Sequence, residues 1–135
     1  MNILMDVHKK LITQLLNAKV DFILIGGYAV IYHGYGRTTG DMDIWLKPDN
    51  ENREKLIPLL ISYGIVKEDI DQIRKTDFSQ TVAFHIGEAP DRVDFLTHVA
   101  GLKYEDANEK KVFLSLGDHQ VPVLHLDHLI INKLI

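Results

Sequence analysis

Residues 22–46 read FILIGGYAVIYHGYGRTTGDMDIWL, and the rest of the chain is arranged around them. The apolar run 22–25 has the length and composition of a short buried strand. It stops at Gly26-Gly27, where the absence of a side chain lets another group approach the backbone closely. Residues 28–32 are apolar enough for a short helix, and Gly34 and Gly36 then break the chain into a loop. A second strand is expected over 41–46. Strand side chains alternate, so Asp41 and Asp43 share one face while Met42 and Ile44 share the other. Two carboxylates side by side on a strand otherwise built for burial repel each other and lose hydration. A cation between them relieves both costs.

Working outward, residues 3–18 carry Ile3, Leu4, Val7, Leu11, Ile12, Leu15 and Leu16 at helical spacing, which predicts an amphipathic helix against a sheet. Downstream of the acidic strand, Asp49 or Asn50 can cap a helix over 51–62 with Leu56, Leu59 and Leu60 inward. Pro58 falls inside it and predicts a kink or an early stop. A short charged helix is expected over 68–75. Residues 80–86 alternate as a strand, 87–90 read as a turn, and 91–97 form the partner strand of a hairpin. On that strand Asp91, Val93 and Phe95 share one face, and Arg92, Asp94 and Leu96 the other. Asp94 lies mid-strand and is the better fixed ligand; Asp91 lies at the edge of the turn. A helical turn over 105–111, strands over 112–116 and 120–124, and a last helix from 127 to 135 complete the reading. That helix carries no stop signal, so the expectation is a chain cut short of a tail, or a protein that dispenses with one.

The chain has 135 residues, which suits one domain with a real core. Hydrophobic residues make up 46% and charged residues 25%, a soluble globular mix. The net charge of −4 argues against a broad nucleic-acid footprint, which needs a basic face. With no cysteine, disulfides and thiolate metal sites are excluded. No apolar run is long enough to span a bilayer, and Asp6, His8, Lys9 and Lys10 interrupt any signal-peptide layout, so a cytoplasmic location is expected. Gly34-x-Gly36 does not follow a strand and lacks the remaining spacing of a dinucleotide fingerprint. His119, His125 and His128 lie near one another in sequence, but without a carboxylate–histidine spacing that suits zinc. Tyr28, Tyr32 and Trp45 read as core residues.

The ordered set Gly26-Gly27, Asp41-Met42-Asp43 and Asp94 within Arg92-Val93-Asp94-Phe95-Leu96 resembles the nucleotidyltransferase superfamily that includes DNA polymerase beta. The fuller wording GGYAV…HG..RTTGDMD is most similar to the branch of abortive-infection, toxin–antitoxin and some antibiotic-modifying nucleotidyltransferases. The resemblance runs over residues 20–130 and implies an α+β fold: a small mixed or antiparallel twisted sheet flanked by helices, in a single domain over 1–135. It implies transfer of a nucleoside monophosphate from a nucleoside triphosphate to an acceptor hydroxyl, on RNA, protein or a small molecule.

Such a reaction builds charge on phosphate oxygens, and Mg2+ or Mn2+ neutralises it. By the resemblance, Asp41 and Asp43 bridge the metals, and Asp94 completes the catalytic one and helps deprotonate the acceptor. Gly26 and Gly27 would offer backbone N–H groups to the triphosphate, with the following helix presenting its positive end. Arg37 could grip phosphate bidentately or pair with Asp41, and Thr38 stands beside it. Lys133 matches a lysine often found on the last helix of such proteins. His33, in the His-Gly pair of the motif, supports the loop. One small domain has little room for a nucleotide and a large acceptor, so a homodimer or partner protein is expected to complete the cleft. The competing reading is a non-catalytic nucleotide- or partner-binding domain, such as one half of a toxin–antitoxin pair.

Overall fold

The strand β1 (Phe22–Ile25) is buried at all four residues, because it lies inside the sheet with layers on both of its faces. A computed structural model of the protein describes residues 6–35 and 41–134, the last two by backbone alone. The first helix, α1 (Asp6–Asn17), leads into β1, and α2 (Gly26–Tyr32) follows it without a loop. Then come β2 (Met42–Leu46), α3 (Asn50–Ser62), α4 (Lys67–Arg74), β3 (Ala83–Ile86) and β4 (Val93–Leu96). The chain continues through α5 (Tyr104–Lys110), β5 (Val112–Leu116), β6 (His119–Val123) and α6 (Leu126–Leu134). The strands form one mixed sheet in the order β3-β4-β2-β1-β6-β5. β1 runs antiparallel to β2 and parallel to β6, while β2 runs parallel to β4. β3–β4 and β5–β6 are antiparallel hairpins at the two edges.

Residues paired in register point to the same side of a sheet. One side carries Leu24, Met42, Ile44, Val93 and Phe95, all buried, in one core with Leu11, Ile12 and Leu15 of α1 and Leu56, Leu59 and Leu60 of α3. Aromatic rings extend this layer outward: Phe95 stacks on Phe84 at 5.2 Å, and Phe84 meets Phe78 at 6.2 Å. On the other side, Trp45 meets Tyr104 of α5 edge-on at 5.3 Å, and its indole N–H donates to Thr97 O at 2.9 Å. Burial raises the Tyr104 pKa well above its ordinary value, with the charges of Asp21 and Asp49 adding to it.

Local chemistry explains where elements depart from the sequence expectation. α1 and α3 fall where the periodicity puts them, and Asp49 caps α3 by accepting from Asn52 N–H at 2.7 Å. Pro58 does not stop α3, which continues to Ser62. Pro58 is exposed, so the carbonyl that loses its helical partner can face water. The expected strand 80–86 is regular only from Ala83. Upstream, the Thr97 hydroxyl takes over the pairing: it accepts from Val82 N–H at 2.9 Å and donates to Gln80 O at 2.7 Å. β2 starts at Met42, one residue after the expected beginning, so Asp41 stands just ahead of the strand. α2 begins at Gly26 itself and absorbs the glycine pair.

Candidate functional site

The corner between β1 and α2 is set by Gly26, whose φ is +67°. A Cβ there would be strained by that backbone angle and would also lie 2.9 Å from the Asp43 Cγ and 3.1 Å from its Cβ. The register explains the approach, since Ile25 pairs with Asp43 across β1 and β2. The Asp43 carboxyl group is therefore laid over bare backbone at a strand-to-helix corner. Gly27 is buried one residue further on.

A single row crosses four strands on this side of the sheet: His85, Asp94, Asp43 and Ile25. Asp43 and Asp94 face each other on neighbouring parallel strands, whose backbones run about 4.8 Å apart. Asp41 stands two residues ahead of Asp43, half-buried. The Asp94 carboxylate is engaged along its own strand by Arg92. Arg92 Nη2 donates to Oδ1 at 2.9 Å, and Nε donates to Oδ1 at 3.1 Å and to Oδ2 at 3.2 Å. The hydrogen bond to Asp94 raises the Arg92 pKa above its ordinary value; burial opposes it, and the charges of Asp94, Asp41 and Glu88 add to it.

The donor set suits a hard divalent cation, which takes one or two carboxylates together with phosphate oxygens and water. Asp43 meets that need in a place where the backbone leaves room, with Asp41 beside it. Among the described residues, however, no group of three histidines or acids is gathered closely enough to hold a metal ion. Asp94 is aligned with Asp43 across the strands, and its carboxylate is turned to the Arg92 guanidinium. Asp41 and Asp43 carry the oxygen donors that such a cation takes, while the Asp94 oxygens are engaged by Arg92.

The remaining expected site residues are not brought to this row by described contacts. Arg37 and Thr38 lie outside the described residues, and so does the side chain of Lys133, whose backbone is in α6. His33 Nε2 sits 2.8 Å from Leu124 O, tying the end of α2 to the end of β6. Tyr28 and Trp45 are core residues, each 1% exposed. His128 is buried and His125 lies 3.8 Å from the Asp127 carboxylate.

The sequence placed Arg92 on the face of Asp94 without assigning it a partner, and it did not single out His85. Arg92 had a visible signal, since its separation from Asp94 by two residues puts both on one strand face. His85 had none short of knowing the hairpin register that sets it opposite Asp94. A third polar feature lies in the core: His8 of α1 is fully buried, with its Nδ1 2.7 Å from the Tyr28 hydroxyl.

No protein-family model matches the sequence, and no curated protein matches it. Among solved structures, the chain is similar to a Thermotoga maritima protein whose crystal structure is described as that of a "putative nucleotidyltransferase". The similarity has a TM-score of 0.56 at 17% sequence identity and covers 95% of this chain and 81% of that one. At that identity the likeness speaks to the fold, and the chain has a nucleotidyltransferase-like α+β fold: a mixed six-stranded sheet with helices packed against it.

Proposed function

We propose that the protein is a metal-dependent nucleotidyltransferase that moves a nucleoside monophosphate from a nucleoside triphosphate to an acceptor hydroxyl. The observation that carries this reading is the register of Asp43 with Asp94 on parallel strands, beside the bare backbone of Gly26. Asp41 and Asp43 would hold the divalent cation, Mg2+ or Mn2+. Bound there, the cation would neutralise charge on the phosphate oxygens and keep attacking and leaving oxygens in line. The acceptor oxygen forms a bond to the α-phosphorus, the bond from that phosphorus to the bridging oxygen breaks, and pyrophosphate leaves with the electron pair. The acceptor proton passes to the Asp94 carboxylate. Gly26 and Gly27 would offer backbone N–H groups to the triphosphate, and Arg37, Thr38 and Lys133 are the proposed phosphate contacts outside the row. A second copy or a partner protein would complete the acceptor side of the cleft; a monomer at every concentration in light scattering counts against the second copy.

A non-catalytic binding domain, such as one half of a toxin–antitoxin pair, is the second reading. The capture of Asp94 by Arg92 favours it, because it withdraws one of the three carboxylates. Incubation with α-labelled nucleoside triphosphates, Mg2+ and an extract of RNA, protein and small molecules separates the two. Transfer of label that is lost in Asp94→Asn supports the enzyme. Nucleotide binding without transfer supports the binding domain.

A further inference from the structure

The feature that the proposed reaction does not use is the guanidinium beside its third carboxylate. Arg92 stands just ahead of β4, two residues before Asp94, and its side chain reaches back to the Asp94 carboxylate. Three donor–acceptor distances between 2.9 and 3.2 Å make the contact a fork on one carboxylate and not a passing approach. The side chains are 38% and 27% exposed, so the pair is neither locked in the core nor free in solvent. Asp41 and Glu88 also act on Arg92 through their charges, which places the guanidinium in an acidic neighbourhood larger than one partner. Arg92 thus engages the Asp94 oxygens that a divalent cation would need.

We infer that Arg92 is a resident counter-cation for Asp94, which a divalent metal must displace before all three carboxylates can act together. The inference rests on the nucleotidyltransferase reading of those carboxylates. Its physical basis is competition: a guanidinium and a metal ion draw on the same oxygens, and the like charges repel when both are close. In the absence of nucleotide the chain then binds metal through Asp41 and Asp43, with Asp94 withheld. A triphosphate supplies anionic oxygens to which the same fork can turn. Arg92 is therefore a positioning residue: it delays assembly of the complete carboxylate set until a triphosphate is present.

The test is Mn2+ titration of the metal-free, nucleotide-free protein, read from the loss of the free-ion electron paramagnetic resonance signal. Wild type is compared with Arg92→Gln, Arg92→Lys, Asp94→Asn, Asp43→Asn and the double variant Arg92→Gln/Asp94→Asn, each checked for folding by circular dichroism. Arg92→Gln is expected to bind Mn2+ about fivefold more tightly than wild type, the scale of a partly exposed ion pair. Arg92→Lys, which keeps the charge and loses the fork, falls between them and reports the same effect should the glutamine variant fail to fold. The gain disappears when Asp94 is already Asn.

An unchanged or weaker affinity in both Arg92 variants overturns the inference. A gain that persists in the Asp94→Asn background also overturns it, because Arg92 would then act only through its general field. Both results leave the metal site standing if Asp43→Asn still abolishes binding. Mn2+ binding that is absent from wild type, or indifferent to Asp43→Asn, overturns the metal site and the inference together.

Discussion

Asp43 lies so close over Gly26 that a methyl group added to that glycine would sit 2.9 Å from the carboxyl carbon. Two elements expected to act together, the glycine pair and the acidic strand, thus meet at one atom's separation. The φ of +67° at Gly26 makes any other residue costly before the collision is counted. Gly26→Ala is expected to lose about 1–2 kcal/mol from the backbone angle alone. The collision adds to that loss unless Asp43 swings away. Thermal denaturation should show the melting midpoint falling by roughly 3–5 °C per kcal/mol. In an Asp43→Ala background the same change should cost less, because the collision is gone. Equal costs in the two backgrounds would mean that the contact contributes nothing.

At the other end of β1 and β2, Asn52 is 2% exposed and holds the strand ends to α3. Its Oδ1 accepts from Asp21 N–H at 2.8 Å, and its Nδ2 donates to Asp21 O at 2.8 Å and to Lys47 O at 3.2 Å. Asn52→Ala leaves the part-buried Asp21 N–H without its partner, while Asp21 O and Lys47 O keep the Lys47 and Asp49 N–H groups, and is expected to cost about 1–3 kcal/mol in chemical denaturation. Because Asn52 lies away from the acidic row, Mn2+ affinity of the folded variant should equal that of wild type.

The buried His8 predicts a pH dependence of stability. Burial lowers its pKa from the ordinary 6.5, and the carbonyls of Asp91 and Arg92 and the charges of Asp91 and Asp41 offset this only in part. The folded chain therefore holds His8 neutral where the unfolded chain already takes up a proton. The stability from keeping His8 neutral is complete above pH 6.5 and is lost as pH falls from 6.5 toward the lower folded value. Denaturation at pH 7.5 and 5.5 should show a larger acid loss in wild type than in His8→Gln. Equal losses would show that His8 is not the group responsible.

How much of this was legible in the sequence depends on how local each signal is. The glycine pair, the Asp-x-Asp strand and the parity of Asp94 are patterns within a few residues, and the elements that carry them fall close to their expected places. The α+β class came with the family resemblance that these signals carry. The strand order did not: β2 beside β4 and β1 beside β6, both parallel, are pairings across long connections. The shortening of β3 was invisible because it depends on the Thr97 hydroxyl, fifteen residues from Val82. Of the two outcomes expected at Pro58, the early stop does not occur, because the exposed side of α3 lets the freed carbonyl face water. The capture of Asp94 by Arg92 lay within reach, since parity put both on one face. Charge alone does not say which of several acids an arginine chooses.

The central claim is that the carboxylates of Asp41 and Asp43 hold a metal together with a triphosphate. Its most direct test is thermal unfolding of wild type and Asp43→Asn with each of the four nucleoside triphosphates, with and without Mg2+. A ligand that binds only the folded state raises the midpoint, by about 2.7 kcal/mol of stability at a hundred times its Kd. A rise that needs triphosphate and Mg2+ together and vanishes in Asp43→Asn is the expected result. That variant should be as stable as wild type, or slightly more so, without ligand, because a like-charge repulsion is relieved. A midpoint that no triphosphate moves, or one that moves equally in Asp43→Asn, would contradict the claim.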